Sequence, residues 1–198
     1  MFVYEKKLQY PIRIKNTNPK LAAAIISQYG GPDGELGASL RYLSQRYSMP
    51  YPELKGLLTD IGTEELGHLE MVGTIVHQLT RNLTEQQIKD AGFEAYFVDH
   101  TTGVFPQFAS GYPWSAATMQ VTGDTIADLT EDLAAEQKAR VTYDNILRLS
   151  DDPDVTDAIR FLRAREIVHF QRFGEGLRLV KDRLGETNVY YMNPSFDQ

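Results

Sequence analysis

The most restrictive feature of this chain is an internal repeat, in which residues of the first half recur in the second half at a constant offset of 101 positions. Each copy contains a glutamate and, 30 residues later, a Glu-x-x-His motif. The aligned pairs are Glu35 with Glu136, Tyr42 with Tyr143, Pro52 with Pro153, Glu65 with Glu166, and His68 with His169. The repeat predicts two similar halves, each supplying the same kinds of chemical groups to one structure.

The Glu-x-x-His motif has the spacing of metal ligands on a helix. Side chains at positions i and i+3 lie on one helix face, so both can point at the same ion. In both copies the motif shares its face with apolar residues at helical spacing: Ile61, Leu69 and Val72 in the first copy, and Ile159, Leu162, Phe170 and Phe173 in the second. Several carboxylates buried in an apolar core are costly unless a cation offsets their charge. The pattern therefore predicts a dinuclear metal site in the core.

Glu35 has a second interpretation. It follows Gly34 near the start of a helix, where a glutamate is also stabilised by the helix dipole. Its place in the repeat favours the metal site.

Hydrophobic periodicity predicts four long helices. The first starts at Pro19 and is kinked or split by the Gly-rich segment 30–34; the second follows Pro52; the third runs from about Asp124; and the fourth runs from Pro153 to about residue 184. A capping box at Thr84 predicts a short extra helix, and 93–123 is aperiodic. Short joins within each pair and one connection of about 40 residues between the pairs are typical of a ferritin-like bundle.

We therefore predict an all-α fold: a ferritin-like four-helix bundle with one long crossover connection and a dinuclear metal site in the core. A single domain would cover residues 1–198, with the bundle at about 19–184, the crossover at about 82–123 and a short tail at 185–198. The tail contains an apolar patch at 189–192, which we expect to dock onto the bundle or a neighbouring subunit.

Composition excludes several classes of protein. The chain has no cysteine, which removes disulfides, thiolate metal sites and thiol nucleophiles. The net charge of -7 and the lack of a basic cluster disfavour nucleic acid as a partner. No apolar run reaches the roughly 20 residues of a membrane span, and the start lacks a signal-peptide pattern. We expect synthesis in the cytoplasm.

These motifs resemble the manganese catalases, and in particular their short spore-coat relatives of the coat-J C type. The similarity extends over about residues 1–184 and is carried by the opening segment 1–10, Gly30-Gly31 with Gly34-Glu35, the segment 62–71, and Arg163-Ala164-Arg165-Glu166 followed by His169.

The resemblance implies specific roles for the repeated residues. Glu35, Glu65 and His68 would bind one manganese ion, and Glu136 with His169 would bind the other, with Glu65 bridging both. Tyr42 would hydrogen-bond near a carboxylate ligand. Glu166 would not be a ligand but a proton carrier, whereas the repeat by itself would make it a ligand. The implied reaction is the disproportionation of hydrogen peroxide to water and oxygen.

Alternatives remain at this level. Oxygen-rich ligands suit iron as well as manganese, so a di-iron oxidase is one alternative. Another is a chiefly structural protein of spore coat assembly that keeps its metal site, with other coat proteins as partners. The resemblance also implies a homo-oligomer, a hexamer, in which we do not expect the arm-mediated locking of full-length enzymes. Ala135 stands where some manganese catalases have an arginine near the metals.

Overall fold

The computed structural model describes residue 5 and residues 7–184. Within that part of the chain the secondary structure is helical, apart from one isolated bridge between Gln107 and Pro113, so the predicted all-α class is confirmed. Seven α-helices are formed there: α1 (Pro19–Gly30), α2 (Glu35–Gln45), α3 (Pro52–Thr80), α4 (Glu85–Ala91), α5 (Glu94–His100), α6 (Thr125–Leu149) and α7 (Pro153–Leu184). The apolar patch predicted at 189–192 lies outside the described residues.

Helix starts are encoded locally. The Asn18 side chain accepts a hydrogen bond of 3.0 Å from the backbone N–H of Leu21, and Pro19 occupies the first turn of α1. Asp124 caps α6 in the same way, accepting from Ala127 at 2.8 Å. The N-terminus of α2 is different, because Gly34 caps it without a side chain and Glu35 stands in its first turn.

The repeat appears as two helix pairs, in which α2 packs on α3 and α6 packs on α7. The two copies differ at one place. The second copy has the single continuous helix α6, whereas the Gly-rich segment 30–34 divides the equivalent stretch of the first copy into α1 and α2. The predicted interruption is therefore a complete break, and α2 begins at Glu35.

The core consists of two apolar clusters with a polar layer between them. Along α3, Leu54, Leu58 and Ile61 belong to one cluster, and the segment from Met71 to Leu79 contributes to the other. The polar residues Glu65 and His68 lie between these two stretches, fully buried. α7 crosses the same layers in the opposite order, with Leu162 in one cluster and Phe173 in the other. The polar layer thus lies near the middle of the bundle.

The crossover contains more structure than its sequence predicts. The capping box at Thr84 is present and starts α4. The stretch from Phe93 onward, predicted to be aperiodic, forms the additional helix α5. None of the residues of α5 is buried, so it has no apolar stripe that periodicity could detect. Stacking of Phe93 on Tyr96, with ring centroids 4.8 Å apart, accompanies its first turn. None of the described helices is both long and apolar enough to span a membrane.

The crossover backbone packs closely against Gly30 at the end of α1, and this contact can be tested by substitution. A Cβ atom at Gly30 would lie 2.3 Å from the backbone nitrogen of Gln107. Gly30→Ala should therefore lower the free energy of unfolding by roughly 1–3 kcal/mol, as overpacking does. Chemical denaturation would measure the change.

Gly56→Ala is the matched control, because Gly56 is exposed within α3 and a Cβ there meets nothing within 4 Å. Alanine should be neutral there or stabilise by up to about 1 kcal/mol. Equal stability of the two variants would contradict the close approach at Gly30.

Candidate metal centre

The structure brings together the side chains predicted for the site. α2 supplies Glu35 and Tyr42, α3 supplies Glu65 and His68, α6 supplies Glu136, and α7 supplies Glu166 and His169. Each of them is at most 2% exposed. Because α-helices fix the direction of their side chains, the four helices present these groups from opposite sides of one buried layer.

Glu65 lies at the centre of the layer and faces both histidines. Its Oε2 is 2.7 Å from Nδ1 of His68, and its Oε1 is 2.7 Å from Nδ1 of His169. The two imidazole rings stack with their centroids 5.6 Å apart. One carboxylate therefore offers one oxygen to each half of the site, as a bridging ligand would.

The glutamates of the repeat complete the two halves. Oε2 of Glu35 is 3.9 Å from Nδ1 of His68, and Oε2 of Glu136 is 3.6 Å from Nδ1 of His169. Each half thus combines one imidazole nitrogen, one oxygen of Glu65 and one further carboxylate. We define these two sets as the triads of the site.

Glu166 lies beside both triads. A carboxylate oxygen of Glu166 lies within 4.8 Å of ligand atoms from Glu65, His68 and His169. This distance is compatible with the ligand role that the repeat predicts and with the proton-carrier role that the resemblance implies. The ligand assignments stay predictions.

Unpaired polar atoms show that the site suits cations. Oε1 of Glu65, Oε2 of Glu136, Oε1 of Glu166 and Nδ1 of His169 are buried and have no hydrogen-bond partner among the described residues. Oε1 of Glu65 and Nδ1 of His169 are only 2.7 Å apart, yet they are not aligned for a hydrogen bond. Two atoms bound to one cation at 2.0–2.2 Å lie roughly 3 Å apart, so this arrangement fits ligands that share an ion.

The buried carboxyls differ in their tendency to ionise. Burial, reinforced by the charge of Glu65, raises the pKa of Glu35 well above its usual range. Burial and the neighbouring carboxylates Glu136, Glu35 and Glu65 likewise raise the pKa of Glu166. Burial also opposes ionisation of Glu65, but the two imidazoles outweigh it and lower its pKa.

The histidines respond in the opposite direction. Burial disfavours the charged imidazolium, but Glu65 and the other carboxylates outweigh this effect. The pKa of His68 is raised to about 10 and that of His169 to about 12 in the metal-free protein. In the metal-free protein, the protonated imidazoles of His68 and His169 thus supply positive charge that bound cations would otherwise supply.

Two tyrosines hydrogen-bond to the outer carboxylates in a crossed arrangement. The Tyr42 hydroxyl donates to Oε1 of Glu136 at 2.6 Å, and the Tyr143 hydroxyl donates to Oε1 of Glu35. Each tyrosine therefore supports the carboxylate of the other copy. Sequence reasoning assigned a role to Tyr42 and missed Tyr143, although the repeat aligns the two residues.

Two further buried or half-buried acids were missed by sequence reasoning. Asp132, one turn before Glu136 on α6, is fully buried and neither of its oxygens has a hydrogen-bond partner among the described residues. Burial raises its pKa well above the usual range. Glu64 contacts both site histidines from outside the triads. The repeat hides both positions, because their aligned residues, Gly31 and Arg165, are not acids.

The fold and this site define a family. The sequence profile described as manganese containing catalase matches residues 1–190, and the chain belongs to that family.

Individual relatives agree with this membership. Protein CotJC of Bacillus subtilis is 51% identical over 190 residues, covering 96% of this chain and 100% of the relative. A probable manganese catalase of Clostridium acetobutylicum is 37% identical over 185 residues, covering 92% of this chain and 82% of the relative. The crystal structure of KatB, a manganese catalase from Anabaena, superposes with a TM-score of 0.86 at 33% identity, covering 98% of this chain and 85% of that one.

Metal binding should release protons. With the pKa of His68 and His169 raised to about 10 and about 12, both imidazoles are protonated at neutral pH in the metal-free chain, and Nδ1 must lose its proton to bind an ion. The apparent affinity for Mn²⁺ should therefore rise with pH between about pH 6 and 8. Calorimetry in buffers of different ionisation enthalpy should count at least one proton released per ion.

His77→Gln provides the control, because His77 is an exposed histidine of α3 outside the site. It should leave the proton count unchanged. Affinity that does not vary with pH would contradict the protonated metal-free site.

The crossed tyrosines should be equivalent in their effect on stability. Tyr42→Phe and Tyr143→Phe each remove the donor to a buried carboxylate, at a cost of about 1–3 kcal/mol. Thermal unfolding of the metal-loaded variants would measure it.

Tyr47→Phe is the control, since Tyr47 is 77% exposed. If Tyr42→Phe and Tyr143→Phe unfold at the same temperature as Tyr47→Phe, the two hydrogen bonds do not stabilise the site.

Proposed function

We propose that this protein is a dimanganese catalase that converts two molecules of hydrogen peroxide to two of water and one of oxygen. The observation that carries the proposal is the pair of matching triads around Glu65. Two manganese ions bound there would supply a two-electron redox couple at which peroxide reacts. Relatives named as manganese catalases support the same activity.

In this proposal Glu35 and His68 hold one ion, Glu136 and His169 hold the other, and Glu65 joins them. Because the layer is buried, the acidic side chains offset most of the charge of the two divalent cations. Tyr42 and Tyr143 fix the orientation of Glu136 and Glu35 by their hydrogen bonds. Each outer carboxylate is thereby left with its other oxygen, Oε2, toward its imidazole.

Glu166 is the proposed proton carrier. Oxidation of one peroxide to oxygen releases two protons, and reduction of the second peroxide to water consumes two. A group that stores protons between these steps must be close to the reacting atoms and near its own pKa. Glu166 is buried beside the triads, its Oε1 has no hydrogen-bond partner among the described residues, and its pKa is raised by burial.

The activity is tested by oxygen evolution from peroxide, measured on protein whose metal content is known. Protein with two manganese ions per chain should evolve oxygen. No oxygen from such protein would reject the proposal, and purified protein that contains iron would instead favour a di-iron oxidase.

Glu166→Gln separates the two roles of Glu166. If Glu166 is the proton carrier, the variant should retain two manganese ions per chain, and its kcat should fall by about 10²–10⁴-fold. Glu175→Gln, at an exposed position of the same helix, should leave both properties unchanged. Loss of an ion together with activity would make Glu166 a ligand, as the repeat predicts.

We also propose that the protein is a homo-oligomer associated with the spore coat. The resemblance to the short spore-coat relatives and the likeness to Protein CotJC support the location. Exposed apolar side chains on α3 and α7 support self-association: Leu66, Ile167, Val168 and Phe170. Periodicity predicts Phe170 on the buried face of α7, but it is 38% exposed. Immunodetection in fractionated spores tests the location, and light scattering tests for the hexamer implied by the family.

A further inference from the structure

One carboxylate outside the triads contacts the far edge of both imidazole rings. Oε2 of Glu64 is 3.0 Å from Nε2 of His169, and Oε1 of Glu64 is 3.6 Å from Nε2 of His68. The first distance is a hydrogen bond and the second is an ion-pair distance. The adjacent residues Glu64 and Glu65 therefore face opposite edges of the same two rings, with Glu65 at both Nδ1 atoms and Glu64 at both Nε2 atoms.

This placement decides which nitrogen of each imidazole can bind a metal. A neutral imidazole carries its proton on one nitrogen and coordinates through the other, and an acceptor at the first fixes that choice. Nε2 of His68 has no hydrogen-bond partner among the described residues, so the nearby oxygen of Glu64 is the acceptor available to it. With both protons directed to Glu64, both Nδ1 atoms are left free within the triads.

Glu64 is itself held firmly as an anion. The Arg165 guanidinium donates from Nε at 2.7 Å and from Nη2 at 3.1 Å to its two oxygens. The Gln9 amide donates to Oε1 at 2.7 Å. The Glu64 side chain is 16% exposed, so its charge is only partly screened by solvent.

The internal repeat explains why a single residue has this position. An offset of 101 places Arg165 on Glu64, so the two copies carry opposite charges at equivalent positions of α3 and α7. These positions adjoin, as the ion pair between them shows. Two carboxylates so close would repel each other, whereas one carboxylate has two oxygens, enough for two imidazoles. Arg165, the residue that departs from the repeat, supplies the positive charge that pairs with Glu64.

We infer that Glu64 is a positioning residue shared by both ions, which holds His68 and His169 in the tautomer that coordinates through Nδ1. The inference rests on the proposed function only for the identity of the ions.

Manganese retention by the full-length protein against increasing chelator tests this role without any measurement of turnover. Glu64→Ala should lower the apparent affinity of both ions by about 10- to 100-fold, as loss of a partner to a metal-binding histidine does. Glu64→Gln keeps the size of the side chain but offers one acceptor oxygen instead of two. It should weaken one ion more than the other and give a two-step release curve.

Arg165→Gln is the matched control, because it breaks the same ion pair but leaves both oxygens of Glu64 in place. It should change the affinity by less than about fivefold, the scale of a partly exposed ion pair. Wild-type retention in both Glu64 variants would overturn the inference, as would an equal loss in Arg165→Gln and Glu64→Ala. If retention changes as expected in a protein that evolves no oxygen, the inference stands and the catalase proposal fails.

Discussion

The burial of like charges in the middle of the bundle is the constraint on which the rest of this structure depends. Glu35, Glu65, Glu136 and Glu166 lie in one layer, and each of them is at most 2% exposed. Carboxylates in such a place must be neutralised by protons or by cations, because leaving them charged and unpaired would cost several kcal/mol each. In the metal-free protein, the pKa values of Glu35, Glu166 and His68 are raised, so protons provide this neutralisation. Two bound cations would neutralise the layer instead, and buried carboxylate and imidazole atoms without hydrogen-bond partners among the described residues are available to bind them.

The surrounding fold packs against this layer from both sides. Apolar clusters lie on both sides of it along α3 and α7, so both helices are fixed by packing above and below the candidate ligands. Tight packing leaves the ligand side chains little freedom to move toward solvent. The crossed tyrosines add connections between the two copies of the repeat, since each bonds to a carboxylate on the opposite helix pair.

The two copies of the repeat differ at two places near the site: the break between α1 and α2, and the pair Glu64 and Arg165. The break between α1 and α2 places Glu35 in the first turn of a helix, where the helix dipole favours its charge, whereas Glu136 lies inside α6. Arg165 replaces a second Glu64 because one shared carboxylate serves two imidazoles and a second would repel it. The two halves of the site therefore share Glu65 but differ in the residues and helix positions around it.

The sequence by itself determined the helical class, the two-copy plan and the candidate ligands, because helical periodicity and the spacing of Glu-x-x-His are local properties repeated over 101 residues. It did not reveal α5, which has no buried face, nor the part played by Glu64 and Tyr143. Those depend on which atoms meet between helices. Only the tertiary structure decided that both histidines present Nδ1 to Glu65 and Nε2 to Glu64, because ring orientation is set by partners on other helices.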